Sequence, residues 1–323
     1  MPLRTDPSPP SHTPLLRRRY LVLGGRGFIG RHCVAALQRA GAEVIVAGRR
    51  ATASLPQALP VQGLLTHESW NQVLELPALG HLDGVLNAVG ILRQSPWRRY
   101  VDVHERAPTA LAEACARRAM PLLHISALGL DAPACSGFIR SKLAGDAGVR
   151  AAGEPCLVVR PSLLDGPDGF GSRWLRAVAR LPLQATPSSA SGRISALHVD
   201  DLADAIVALF ACNTEQRRTL APHRVIELGG ERAMTLAQYL QHLRGTRPPA
   251  WQVPVPHALA RGVAHLCDLL HLTPFSFGHL ELLARDNLAR GQQLQALLGR
   301  PQRPLGRDLP AAPLRPLAGS AAS

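Results

Sequence analysis

Gly24, Gly25, Gly27 and Gly30 follow directly on the apolar run Tyr20-Leu21-Val22-Leu23, and Phe28, Ile29, Val34 and Leu37 then recur at helical spacing. Glycines so placed permit a tight turn, close approach of backbone N–H groups to phosphate oxygens, and close packing of a helix on a strand. An anion held there, beside Phe28 and Ile29, would meet the unpaired N–H groups and the positive end of the helix. The chemistry this suits is the grip on a dinucleotide pyrophosphate. Glycine turns join strands to helices in many folds, but here Val44-Ile45-Val46-Ala47 supplies the second strand that completes the unit.

Gly48, Arg49 and Arg50 come next. A carboxylate near this point would bind a ribose 2′-hydroxyl, whereas an arginine suits a 2′-phosphate. Arg49, with Arg26 inside the glycine turn, therefore favours NADP(H) over NAD(H); the alternative for each is an arginine that is merely solvated. A second clue lies in the basic residues. Of 36 Lys plus Arg, one is a lysine, Lys142. Either that lysine is an accident, or its position needs a compact ammonium that donates in several directions, which a planar guanidinium cannot provide.

The chain that must position these groups has 323 residues, 46% hydrophobic and 18% charged, enough for a sizeable core in one large or two small domains. A net charge of +13 raises nucleic acid or anionic membrane as partners. The arginines, however, come as scattered pairs, Arg98-Arg99, Arg117-Arg118 and Arg217-Arg218, with only three Tyr and six Phe to build a stacking platform, which argues against nucleic acid. Six separated cysteines without a CxxC pair, and thirteen histidines without HExxH, argue for reduced thiols and against a metal site. No stretch reaches the ~18 apolar residues of a spanning helix, and the run after Arg17 to Arg19 is too short for a signal peptide. A cytoplasmic protein is expected, with contact at the periphery of the inner membrane left open.

Residues 1 to 16, with five prolines, read as a disordered leader. Strands are expected at 20–23, 44–47, 59–65, 83–90, 122–126, 156–161 and 225–228, and helices after the glycine turn, at 68–76, at 103–118 and around Lys142. Their alternation implies right-handed crossovers and a parallel sheet, a Rossmann-type doubly wound α/β fold over 17–230. Substrate-region elements interleave at 163–195, with a helix at 172–181 and a small-residue loop at 185–192. A helix follows His198-Val199-Asp200-Asp201, with either Asp suited to cap it. Residues 231–303 read as a smaller, mainly helical C-terminal region and 304–323 as a Pro-rich tail. Within that region, 257–270 is amphipathic and suits core packing or membrane contact.

Several ordered motifs together are more specific than any one: LGGRGFIG at 23–30, VLNAVGIL at 85–92, HISALG at 124–129, SGFIRSK at 136–142, VVRPS at 158–162 and HVDDLADAI at 198–206. Over roughly Tyr20 to Pro301 the chain resembles the extended and atypical short-chain dehydrogenase/reductase superfamily, of NAD(P)-dependent epimerase/dehydratase type. It is similar especially to the branch of the NADPH-binding accessory subunit of respiratory complex I, and it also looks like bacterial modules fused to DoxX-like membrane domains. The resemblance implies that Asn87, Ala88 and Gly90 form the turn passing the adenine ribose, that Pro161 lines the cofactor, and that Ser126 orients a substrate oxygen. It implies further that Lys142 bonds the nicotinamide ribose and lowers the pKa of a tyrosine four residues earlier, the general acid.

That tyrosine position is Phe138, which has no proton to give. Gly63 to His67, after the expected third strand, also lacks the acidic residue that often recognises adenine. The expectation is an NADP(H)-binding protein with weak or absent redox turnover, acting as a cofactor-sensing or structural partner of a protein. The alternative is an oxidoreductase or epimerase on an unidentified small molecule that uses another proton donor, with Ser136 or Cys135 as candidates.

Overall fold

The computed structural model describes residues 15–52, 55, 58–130, 134–270 and 276–306. Its centre is β1 (Arg19–Leu23), whose four apolar residues are buried as a two-sided parallel strand requires. It pairs in parallel with β2 (Glu43–Ala47) on one side and β3 (Gly84–Asn87) on the other. β4 (Leu122–Ile125), β5 (Cys156–Pro161) and β6 (Val225–Leu228) extend the sheet, all parallel, in the order β6-β5-β4-β3-β1-β2. The chain leaves β1 for β2 in one direction and returns past it to β3 in the other. Connections therefore diverge beyond the carboxyl ends of β1 and β3, where doubly wound sheets hold ligands.

Helices cover both faces. On one, α1 (Phe28–Arg39) packs against the later α6 (Val199–Ala211), with Val34, Leu37, Leu202, Ile206 and Leu209 buried over Val22 and Leu86. On the other, α2 (His67–Leu74) and α3 (Ala107–Arg117) bury Trp70, Val73 and Leu111 over Leu21 and Val85. The Trp70 indole N–H donates to Ala107 O at 3.2 Å. A π-helical segment, Val101–Arg106, runs into α3 and packs on α4 (Gly137–Ala151). Gly145 makes that approach feasible, since a Cβ there would lie 1.8 Å from His104 O.

The strand expected over 59–65 does not form. Pro60 lacks an N–H for a ladder, and the chain takes a 3-10 turn at Val61–Gly63 instead. Leu59 and Val61 still reach the core, and Thr66 caps α2. The expected loop over 185–192 is also partly a strand: Leu183–Pro187 pairs in parallel with Trp251–Val255. The cap of α6 is neither aspartate but His198, whose Nδ1 accepts from Asp200 N–H at 3.2 Å.

After the short α7 (Thr214–Leu220), the C-terminal region adds α8 (Leu236–Arg244), against α5 (Phe170–Arg180), then α9 (His257–Leu270), α10 (Phe277–Leu283) and α11 (Gln293–Leu298). It is tied to the sheet domain through the buried Asp201 carboxylate, which takes Arg300 at 2.7 Å and Arg303 at 2.5 Å. Packing continues into the expected tail, because Gly306 N–H donates to Asp165 Oδ2 at 2.9 Å; residues 307–323 lie outside the described residues. Of the expected leader, Leu15 is buried in the core, and residues 1–14 are likewise outside.

Candidate functional site

The glycine turn takes the shape its sequence suggests. Gly24 has φ +75°, and a Cβ there would meet Ala88 O at 3.0 Å. Gly30 lies closer still: its Cβ would be 2.2 Å from Gly24 O, so any side chain there drives the helix off the turn. Gly25 is hemmed in by Val46, 2.8 Å from its would-be Cβ, and Gly27 N–H donates to Gly24 O at 2.8 Å. Gly27 is the N-cap of α1 and offers no side-chain acceptor. The leading N–H groups of α1, at Phe28 and Ile29, are thus left for an external anion, and the Cβ-free cradle fits a pyrophosphate. Arg26 and Arg49 are exposed at the ends of β1 and β2, and neither pairs with a carboxylate among the described residues. Phe28 is covered by the loop after β5, where a Cβ on Gly169 would come within 2.8 Å of its ring.

Asn87 ends β3, 1% exposed; its amide Nδ2 donates to His124 Nδ1 at 3.1 Å, and its Oδ1 accepts from Val89 N–H at 3.1 Å. The side chain thereby fixes the turn carrying Ala88 and Gly90 rather than pointing outward. Pro161, the last residue of β5, is buried, and its carbonyl accepts from Leu128 N–H at 2.9 Å.

α4 brings Phe138, Lys142 and Asp146 onto neighbouring turns. The Lys142 ammonium stands 5.7 Å from the Phe138 ring centroid. Burial lowers the lysine's pKa, with the Asp146 carboxylate opposing. Asp146 is 1% exposed and accepts from Arg160 Nε at 2.7 Å. Burial raises its pKa against the pull of Arg160, Ser126 and Lys142. Ser126, just past the end of β4, is buried, and its hydroxyl lies beside the Asp146 carboxylate, whose charged form it favours.

Phe138 sits in a ring cluster that the sequence did not reveal. Tyr100 and His104 meet it in T-shaped contacts at 5.7 and 5.4 Å, and His279 of α10 lies tilted against it at 5.8 Å, between centroids. Phe138 is left 6% exposed. α10 is held over it by Glu281, which accepts from Cys135 N–H and Ser136 N–H at 2.8 and 2.9 Å. Ser136 itself caps α4. These residues are far apart in sequence and only Tyr100-x-x-x-His104 carries a local signal, a helical pair. His104 Nε2 accepts from Ile91 N–H at 3.1 Å, so Nδ1 carries the proton toward Ser141 Oγ, 3.2 Å away. Burial, with the Lys142 and His124 charges, pushes the His104 pKa down to about 2. Burial and Lys142 take His124 to about 3, and burial takes His279 to about 4. Tyr100, its pKa pushed up by burial and Asp268 to about 12, donates to Leu92 O at 2.8 Å.

Comparison with known proteins agrees with this geometry. Residues 20–221 match the NAD dependent epimerase/dehydratase family. The ceramide reductase of Caulobacter vibrioides is 27% identical over 260 residues, 80% of each chain. Subunit 9 of the NADH dehydrogenase [ubiquinone] 1 alpha subcomplex, mitochondrial, of Dictyostelium discoideum is 28% identical over 68% of this chain and 61% of its own length. Among solved structures, the human epimerase family protein SDR39U1 (isoform 2) with NADPH shares the fold with TM-score 0.64 and 18% identity, over 88% of this chain and 94% of that one. With strand order, glycine turn and family match coinciding on the same residues, the chain belongs to the NAD-dependent epimerase/dehydratase family.

Proposed function

We propose that this protein binds NADP(H), holding the pyrophosphate on Gly24, Gly25, Gly27 and Gly30 with Phe28 and Ile29, and turns it over weakly or not at all. Asn87, Ala88, Gly90 and Pro161 line the same cofactor, and Arg26 and Arg49 take the 2′-phosphate that distinguishes NADP(H) from NAD(H). A bound nicotinamide supplies or accepts a hydride. Lys142 holds the nicotinamide ribose, and Ser126 orients an oxygen of whatever small molecule enters. The observation that carries the reading is Phe138: where the lysine needs a phenol beside it there is an apolar ring, 6% exposed and roofed by α10. Loss of a general acid is typically worth ~10²–10⁴-fold in rate. A protein so built serves as a cofactor-sensing or structural partner, a role consistent with its likeness to a complex I subunit.

Titration with NADPH and NADH, followed by reduced-cofactor fluorescence, tests the binding. NADPH should bind more tightly than NADH, and Arg49→Glu should weaken NADPH ~10–100-fold while changing NADH little. Lys142→Ala should weaken both. Phe138→Tyr should raise hydride transfer without improving NADPH affinity; unchanged turnover would count against the missing-acid reading.

A second reading is favoured by Tyr100, a phenol whose ring meets Phe138 at 5.7 Å. If it releases Leu92 O on substrate entry, Tyr100 becomes the proton donor of an active reductase, and the ceramide reductase relative supports a lipid carbonyl as substrate. NADPH oxidation by a long-chain keto lipid, lost in Tyr100→Phe, would decide for it.

A further inference from the structure

The amphipathic segment at 257–270 does not bury its large apolar residues. α9 packs inward with Ala260 and Ala264, 3% and 0% exposed, against Leu280 of α10. Its leucines and valine face out as one stripe: Leu259 is 59%, Val263 45% and Leu266 52% exposed, at spacings of four and three residues. The paired strands that lead into it through Pro256 behave alike. Trp251 stands opposite Leu183 in register, and the two are 79% and 58% exposed; Val253, two residues on and so on the same face, is 42% exposed. On the inward face Gln184 is fully buried and accepts from Gln252 Nε2 at 2.8 Å, which fixes which way the ribbon faces. Leu181, 52% exposed, extends the outward face.

Charge says what covers this surface. Residues 169–199, which carry the first strand, contain four arginines and no Asp or Glu; Arg176 and Arg193 are paired with Asp165 and Asp286, and Arg173 and Arg180 are not in an ion pair among the described residues. Residues 232–267, which carry the second strand and most of α9, contain four arginines, three histidines and again no acid. Arg180 and Arg247 flank the ribbon, exposed and paired to no carboxylate among the described residues. An outward tryptophan, a leucine-rich helical stripe and the exposed Arg180 and Arg247 beside them have the composition of an element lying in the interface of an anionic bilayer. No helix among the described residues is long and apolar enough to span one.

We infer that the ribbon formed by Leu183–Pro187 and Trp251–Val255, together with the outer stripe of α9, docks this protein on the surface of an anionic phospholipid bilayer. The apolar side chains enter the headgroup boundary while Arg180 and Arg247 sit over the lipid phosphates. None of the residues named for this surface is among those assigned to the cofactor or the reacting groups, so the inference does not depend on cofactor binding or turnover.

The test is flotation of the full chain with vesicles of phosphatidylcholine, alone or with about a third phosphatidylglycerol. The protein should float with the anionic vesicles and not with the neutral ones, its tryptophan emission shifting to the blue. The shift should be lost in Trp251→Ser. Leu259→Glu/Leu266→Glu should cut partitioning by ~10-fold or more. Arg180→Glu/Arg247→Glu should cut it roughly fivefold per arginine, and salt near ~0.5 M should weaken it similarly. These positions are exposed, and an unchanged thermal midpoint serves as the fold control. Full recovery in the unfloated fraction at low salt, or flotation that the substitutions leave intact, would overturn the inference. So would equal binding to neutral vesicles, or a concentration-dependent dimer that the same glutamates abolish while no vesicles bind, since that would make the face a contact between copies of the chain.

Discussion

Asp146 and Arg160 show how much of the site is held by charge taken out of water. The carboxylate is 1% exposed and the guanidinium is held at 2.7 Å, so Arg160 offsets the cost of keeping a charge on Asp146 in the core. Removing one partner leaves the other buried and uncompensated, which typically costs about 3–5 kcal/mol. Asp146→Asn should therefore lower the unfolding free energy by roughly 3 kcal/mol in urea titrations, whereas Asp146→Leu with Arg160→Met should recover much of the loss. Lys142 was legible in the sequence as a single lysine among arginines, and Phe138 only through the resemblance, which places a tyrosine four residues before that lysine. Tyr100, His104 and His279 were not, because the crossovers bring them to Phe138 from segments up to 179 residues apart in numbering (279 against 100). Nothing local marks a histidine as the wall of a distant phenylalanine.

Elements were legible where one short apolar run decides them. β1, β2, β4, β5 and β6 lie where Val, Ile and Leu cluster between turn residues. The misses have particular causes. The run at 59–65 has the right composition, but Pro60 denies it a ladder. The strand at Leu183–Pro187 is specified by Trp251–Val255, 68 residues on, and its alternation is inverted, with Gln184 buried and Leu183 exposed. The π-helical turn before α3 is set by packing on α4, which only Gly145 allows. Gly145→Ala would place a methyl 1.8 Å from His104 O and 2.9 Å from its carbon, both backbone atoms that cannot swing aside. That helix must shift, at a cost of about 1–3 kcal/mol or more. His104 would move with it away from Ile91 and Ser141. The expected result is a lower urea midpoint with an unchanged m value; a midpoint equal to the wild type would mean the π-helical turn is readily displaced.

Across the whole molecule the histidines with shifted pKa values divide into two sets that respond oppositely to pH, and His198, lowered by burial, belongs with the first. His104, His124 and His279 are held near 2, 3 and 4 by burial, well below the value of about 6.5 they regain when unfolded. Below about pH 6.5 the unfolded chain binds protons that the folded one refuses, so stability falls with acid, by about 1.4 kcal/mol per unit for each, or ~4 kcal/mol per unit for the three. His32 behaves the other way. Burial opposes its charge, but Asp200 at 2.6 Å and Asp168 at 3.1 Å outweigh it and raise its pKa. Its contribution is complete below the unfolded value and is lost as pH rises through the higher folded one. His32 also joins three parts of the fold, because it sits on α1, Asp200 begins α6, and Asp168 belongs to the loop covering Phe28. Stability should therefore peak near neutrality. The acid limb should be steep and unaffected by His32→Gln, and the milder alkaline limb should flatten in that variant. Urea unfolding of both proteins across pH 5 to 9 reads the two limbs separately; an alkaline limb identical in the two would show that the His32 clamp carries no charge in the folded state.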